Sequence, residues 1–310
     1  MFYETSPALD ALGKTLVSDI LARYAPSGLR ADAFALTLLP FDGPLTFTGG
    51  VHKPAGFSHN GARSFYPCSV VKAFHLAAME AALEAGTVEP HEELDRAMRD
   101  MILWSSNTAT NYIIDLLTAT TGDTLLPAAE MRAWAERRDS INRYFATYGW
   151  PEMAGTNICQ KLMDDERYGR EKIFSRWNGR NNHNALTADA TARLFHAIFT
   201  GQIVTSERCR HMIQLLSRPH DAEFAARPAA QVRGYFGEGL PAAAKLWSKC
   251  GCTAWTNDVD ASWRRHDAAY VELENGRSFI LTAFTEGEQV AQDVTVLPGI
   301  ATLVTERLSA

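Results

Sequence analysis

Several common signatures are missing from this chain, and each absence removes a class of function. No Gly-x-Ser-x-Gly elbow, Walker loop or His-Glu-x-x-His string occurs, so α/β-hydrolase, nucleotide-triphosphatase and zincin chemistry are not signalled. The five cysteines contain no CxxC pair, which argues against a structural zinc site and leaves the expected metal and cofactor content at none. There is no lysine- or arginine-rich run and the net charge is −6, so the electrostatic footprint of a nucleic-acid binder is missing. No apolar run approaches the roughly 20 residues that cross a bilayer, and no membrane span is expected. The opening MFYETSPALD lacks a basic stretch followed by an apolar core. As written, the sequence is expected in the cytoplasm, or in the periplasm or outside the cell if a signal peptide has been removed. Low-complexity tracts and repeats are also absent, and 46% apolar with 21% charged residues is the composition of an ordinary globular chain.

What is present falls into three stretches. PALDALGKTLVSDILARY carries Leu9, Leu12, Leu16, Ile20 and Tyr24 at helical spacing, with Ser6 and Pro7 suited to the helix start. ADAFALTLLP and PLTFTGGV then read as strands joined by a turn at Phe41-Asp42-Gly43. From about residue 67 to 217 the pattern is helical. Strands return in AAKLWSKCGC and in HDAAYVELENGRSFILTAF, where Asn275-Gly276 marks a tight hairpin, and DVTVLPGIATLVTERL closes the chain as a helix. The expected architecture is α+β. Residues 1–62 and 218–310 form an antiparallel-sheet lobe flanked by the terminal helices, 63–217 form an inserted all-helical lobe, and the active site lies in the cleft between them.

YPCSVVKAFH places Lys72 three residues after Ser69 in an otherwise apolar stretch. At that spacing both share one helix face. A serine hydroxyl is a weak nucleophile until its proton is removed, and a lysine accepts a proton only when burial or neighbouring cations lower its pKa. A chance pair with the lysine reaching solvent is the competing reading, and two further stretches weigh against it. ILWSSNTATNYII sets Ser105, Ser106 and Asn107 between apolar runs, where donors can aim into a cleft or simply cap a helix. KLWSKCGCTAW sets Lys249 and Gly251 on a core strand, where a lysine is unexpected unless it faces a cleft, and where glycine admits close backbone approach.

Ser-x-x-Lys, then Ser-x-Asn, then Lys-Cys-Gly, in that order, resembles the motif set of the penicillin-recognising serine hydrolases. The class A β-lactamase branch is the most similar: SSNTATN and the threonine-led NALTADATARLFHAIFTG both look like segments of that family. The resemblance implies a β-lactamase/transpeptidase-like fold and a small-molecule β-lactam, amide or ester substrate. It implies Ser69 as acylated nucleophile, Lys72 as proton acceptor or relay, and Ser105 as the route to the leaving group. Asn107 would bind a substrate amide, and Lys249 a substrate carboxylate, beside Cys250 and Gly251. The backbone N–H groups of Ser69 and Cys252 would form the oxyanion hole. A disulfide from Cys68 to Cys250 or Cys252 is a further implication of the family topology.

The chain departs from the family in three respects. The Glu-x-x-Leu-Asn loop that supplies the deacylating acid is absent, leaving Glu152, Asp164, Asp165, Glu166 and Glu171 as acids of that region, with Glu152, Asp164 and Glu166 the candidates. Ser106 stands where the family has aspartate, and Cys250 stands where it has a hydroxyl residue. The expectation is a monomeric serine hydrolase, most simply β-lactamase-like. A peptidase or esterase on small amides, or a covalent β-lactam sensor without efficient deacylation, are the alternatives.

Overall fold

The computed structural model describes residues 1–310 apart from 48–52, 123, 163–166, 220–221 and 310. The elements run α1 (Pro7–Tyr24), β1 (Phe34–Phe41), β2 (Phe57–His59), α2 (Lys72–Glu84), α3 (Glu92–Leu103), α4 (Asn107–Thr118), α5 (Ala128–Arg138), α6 (Ser140–Ala146) and α7 (Gly169–Phe174). They continue with α8 (Ala188–Phe199), α9 (Ser206–Leu216), β3 (Ser217–Arg218), α10 (Ala222–Ala225), β4 (Lys245–Ser248), β5 (Gly251–Thr253), β6 (Arg264–Glu272), β7 (Ser278–Glu286), α11 (Glu288–Gln292) and α12 (Val296–Ser309).

Helix α1 starts where its sequence says it should. Ser6 Oγ accepts from Leu9 N and Pro7 occupies the first turn, which satisfies one orphan donor and supplies a fixed φ. The strands form one antiparallel sheet in the order β2-β1-β7-β6-β4-β3, with β5 also paired to β6. Strands from the two ends of the chain therefore meet at the centre, with β1 paired along its length to β7. The β6–β7 hairpin turns at Gly276, whose φ of 85° is left-handed and favours glycine.

Alternation along the strands separates two cores. Phe279, Leu281 and Ala283 of β7 pack with Leu16, Ile20, Leu297, Ile300 and Val304 of the terminal helices. Ile280 and Phe284 face the opposite way, joining Phe74, Met98, Ile113 and Phe195 of the helical region. Each fully buried Leu, Ile or Phe contributes on the order of 2 kcal/mol. Among the described residues no helix is long and apolar enough to cross a membrane.

One strand expectation needs correction. The partner of β1 is Phe57–His59, paired as Leu36↔His59 to Leu38↔Phe57. The expected strand PLTFTGGV makes none over 44–47 and otherwise reaches 48–51, outside the described residues. Pro44 has no N–H to give a ladder, while Ser278 Oγ donates to Gly43 O and Leu45 N donates to Tyr270 Oη. Those bonds tie the segment to β6 and β7, in the interior of the sheet.

Candidate active site

Ser69 lies in a 3-10 turn, Cys68–Val71, that runs directly into α2 at Lys72. In a 3-10 turn residues three apart eclipse, so the serine–lysine spacing holds even though the two residues belong to different helix types. The turn is tied to the sheet through the residues before it. His266 accepts at Nδ1 from Thr285 N, which leaves Nε2 to donate to Tyr66 O at 2.9 Å. Burial pushes the His266 pKa down to about 3, so the imidazole stays neutral in this role. Cys68 takes a left-handed φ of 49°, a conformation that costs about 1–3 kcal/mol in a non-glycine residue.

Strand β5 closes on the same turn. A Cβ added to Gly251 would sit 2.3 Å from Ser69 N and 3.0 Å from Ser69 Cα, so only glycine allows this approach of strand to nucleophile backbone. Cys252 follows it on the strand and is exposed.

Lys72 and Lys249 are both fully buried. Lys72 Nζ donates to Ser105 O at 2.5 Å, Asn107 Oδ1 at 2.7 Å and Ser105 Oγ at 3.2 Å. From the sheet side Lys249 Nζ donates to Ser105 Oγ at 3.0 Å, Gln231 Oε1 at 2.9 Å and Cys250 O at 2.8 Å. One hydroxyl is thus held between two lysines. Burial pushes the Lys249 pKa down to about 8, and the Arg218 charge acts in the same direction.

Local structure explains how the Ser105 turn is aimed. Ser106 is the N-cap of α4, its Oγ accepting from Ala109 N at 3.1 Å, while Ser105 adopts a left-handed φ of 55°. Capping and chemistry are divided between neighbours: Ser106 starts the helix, and Ser105 and Asn107 face the lysines. Arg218, buried on β3, donates to Ile102 O at 2.5 Å and Leu103 O at 3.2 Å, which ties the end of α3, just before this turn, to the sheet.

The structure therefore brings together Ser69, Lys72, Ser105, Asn107, Lys249 and Gly251, with Cys252 beside them, and it separates the others. Cys250 is fully buried among Leu246, Tyr235 and Val271. Lys249 and Cys250 fall between β4 and β5; the Cys250 thiol is enclosed and rests on Gln231 O at 3.6 Å, closed to a substrate, and the substrate-binding expectation for Cys250 is corrected. All five cysteines are free; Cys68 Sγ donates to Thr253 Oγ1 at 3.7 Å rather than bonding to Cys250 or Cys252.

Glu152 is corrected as well. It sits in a 3-10 turn, Pro151–Met153, with its carboxylate 3.8 Å from Met1 N and its charge acting on Arg193, Asp189 and Tyr3, none of which belongs to the lysine–serine network. Glu171 is likewise committed elsewhere, paired with Arg138 at 2.7 and 3.0 Å. Asp164, Asp165 and Glu166 lie outside the described residues. His75 is a core histidine whose Nε2 donates to Ile158 O at 2.8 Å while its buried Nδ1 has no hydrogen-bond partner. Arg264 pairs with Glu286 and Arg265 lies over the Tyr235 ring.

Two contributors escaped the sequence. Gln231 gives Lys249 an acceptor from a loop with no motif, and its only local signal would be a φ of 57°, which cannot be read from residues alone. Asp267 is buried on β6, where its charge and that of Lys249 act on each other. Burial pushes its pKa up to about 7 even though Phe236 N and Ala268 N donate to it.

The chain belongs to the Beta-lactamase enzyme family, whose sequence model matches residues 93–308. That match covers the Ser105 and Lys249 stretches and begins after Ser69 and Lys72. A β-lactamase from Sphaerobacter thermophilus is 19% identical over 95% of this chain and 97% of its own, with a TM-score of 0.63. A β-lactamase from Chitinophaga pinensis is 14% identical over 94% of this chain and 98% of its own, at 0.64. A PBP-A variant, in an acyl-enzyme complex with penicillin G, is 16% identical over 96% of this chain and 97% of its own, at 0.63. These likenesses establish the β-lactamase/transpeptidase-like fold. No match was found among curated protein sequences.

Proposed function

We propose that this protein is a serine hydrolase that forms an acyl-enzyme at Ser69 on an amide, lactam or ester, with β-lactams as the favoured substrates. The observation that carries the reading is the convergence of buried Lys72 and Lys249 on Ser105 Oγ, at 3.2 and 3.0 Å, next to the Ser69 turn. Ser69 Oγ attacks the carbonyl carbon, the C–N or C–O bond breaks, and the serine proton travels through Lys72 and Ser105 to the leaving atom. The N–H groups of Ser69 and Cys252 stabilise the oxyanion, an arrangement worth roughly 3 kcal/mol per donor. Asn107 orients a substrate amide. Lys249, whose three partners are all uncharged, attracts an anionic group on the substrate. No metal or organic cofactor takes part in these steps.

The test is intact-protein mass spectrometry with excess penicillin, run beside Ser69→Ala while the lactam absorbance is followed. Penicillin is the natural probe because the PBP-A neighbour is described as an acyl-enzyme with it. The expected result is consumption of many equivalents by wild type and none by the variant. A stable adduct on wild type alone, without turnover, would support the covalent sensor. Neither adduct nor turnover removes β-lactams as substrates, and D-amino-acid peptides and esters then become the panel for the peptidase or esterase alternative.

A further inference from the structure

His183 lies in the segment before α8, on the outer side of Tyr66, and it presents an unusual arrangement. The residue is 7% exposed, yet both ring nitrogens lack a hydrogen-bond partner. Its Nε2 is 2.8 Å from Asp258 Oδ2, close enough for a hydrogen bond but not aligned for one. With a proton on Nε2, the contact lacks the directionality a hydrogen bond needs. Without one, two lone pairs face each other. A ring enclosed to this degree with neither nitrogen satisfied has donor capacity left for a ligand.

A third donor completes the group. One ligand atom each from His183, Asp258 and Asp260 lies within 4.8 Å of the others. The carboxylates are held in place from behind. Asp258 Oδ1 accepts from Asp260 N at 3.0 Å, and Asp260 Oδ2 accepts from Asn181 Nδ2 at 2.7 Å with Arg176 at 3.8 Å. Outer contacts of this kind orient first ligands. His183, Asp260, Tyr66 and Arg264 also line a surface recess of about 350 Å³, so an ion has a route in and room for water.

We propose that His183, Asp258 and Asp260 bind a divalent first-row transition-metal ion. One imidazole and two carboxylates with open positions suit Zn²⁺, Mn²⁺ or Co²⁺ better than Ca²⁺, which takes six to eight oxygens. The site joins the loop between β5 and β6 to the segment before α8, and His183 stands edge-on to Tyr66 with ring centroids 6.1 Å apart. Tyr66 is three residues before Ser69 in sequence. The ion therefore ties the β5–β6 loop to the segment before α8, beside the residue that leads into the nucleophile turn.

The experiment uses Co²⁺ and Zn²⁺ on the full chain, with exposed Cys252 replaced by serine to remove a competing thiol. Co²⁺ is expected to give a saturable visible d–d band without thiolate charge transfer, and Zn²⁺ at a hundred times its Kd to raise the melting temperature by roughly 5 °C. Asp258→Asn and Asp260→Asn, both in a solvent-facing loop and so compatible with folding, are expected to lose the band and the shift, as is His183→Asn. Absence of the band in the parent, or its retention in the Asp258 and Asp260 variants, would overturn the proposal.

Discussion

Two buried cations in this molecule are treated in opposite ways. Arg138 is fully enclosed and neutralised: its guanidinium forks onto Glu171 at 2.7 and 3.0 Å, approaches Asp115 at 3.6 Å and covers the Trp134 ring at 4.4 Å. Lys161 completes that network through Asp115 at 2.7 Å. Lys249 is equally enclosed but is held by a hydroxyl, a carboxamide oxygen and a backbone carbonyl, with no carboxylate in ion-pair distance among the described residues. A cation already matched to an anion fixes structure. One held only by neutral acceptors keeps its field for a ligand and loses its proton more easily, in line with its pKa near 8.

The comparison breaks if the two sites respond alike to mutation. Replacing Lys249 with methionine keeps most of the buried volume, and is expected to lower kcat/KM toward a carboxylate-bearing β-lactam by roughly 10³-fold, about 4 kcal/mol of transition-state stabilisation, with little change in urea midpoint. In the parent, kcat/KM for that substrate should fall as pH rises through about 8, because deprotonation removes the attracting charge. A neutral ester should show no such limb, and equal pH profiles would deny Lys249 this role.

Arg138→Met should do the reverse. It strands Glu171 in a buried site, and urea unfolding should report a loss of about 3–5 kcal/mol, with turnover per folded molecule retained. Collapse of turnover with stability unchanged would place the Arg138 network in the chemistry.

Ser106→Ala removes the α4 cap. It is expected to cost about 1 kcal/mol and to leave the alkaline limb in place, which separates capping from the role of its neighbour Ser105.

The smallest effect concerns His211, whose ring is 2.6 Å from buried Glu80. That hydrogen bond raises the His211 pKa above its usual 6.5. The stabilisation is fully present below pH 6.5 and is lost as pH rises through the raised value. Since the side chain is 40% exposed, solvent screening limits it to under about 1 kcal/mol. His211→Gln should therefore lower the melting temperature at pH 5.5 and hardly at pH 8.5; an equal loss at both would mean that the charge is irrelevant.

Much of the fold was legible because its signals are local. Helical spacing with Ser6 and Pro7 located α1, Asn275-Gly276 located the β6–β7 hairpin, and Thr187 capped α8 as a threonine-led helix should, with its Oγ1 accepting from Ala190 N. The edge strand was not legible. Phe57–His59 is too short to carry a period-2 pattern, whereas PLTFTGGV looked like a strand but begins at a proline that cannot join a ladder.

The acids were the least legible part of the site. A carboxylate has the same sequence appearance whether it attends a nucleophile, the role for which Glu152 was one candidate, or lies beside Met1, Tyr3 and Arg193, as Glu152 does. By itself, then, the sequence determined the chemical parts: a serine and a lysine three apart, a hydroxyl-and-amide turn, and a lysine two residues before a glycine. Those relations lie within a few residues of chain, where backbone geometry alone decides proximity. Only the tertiary structure decided that both lysines meet at Ser105, that the Gln231 side chain reaches Lys249 while the Cys250 thiol is buried, and that the two ends of the chain share one sheet. Burial, facing and strand order depend on contacts between residues far apart in sequence, and no local pattern encodes them.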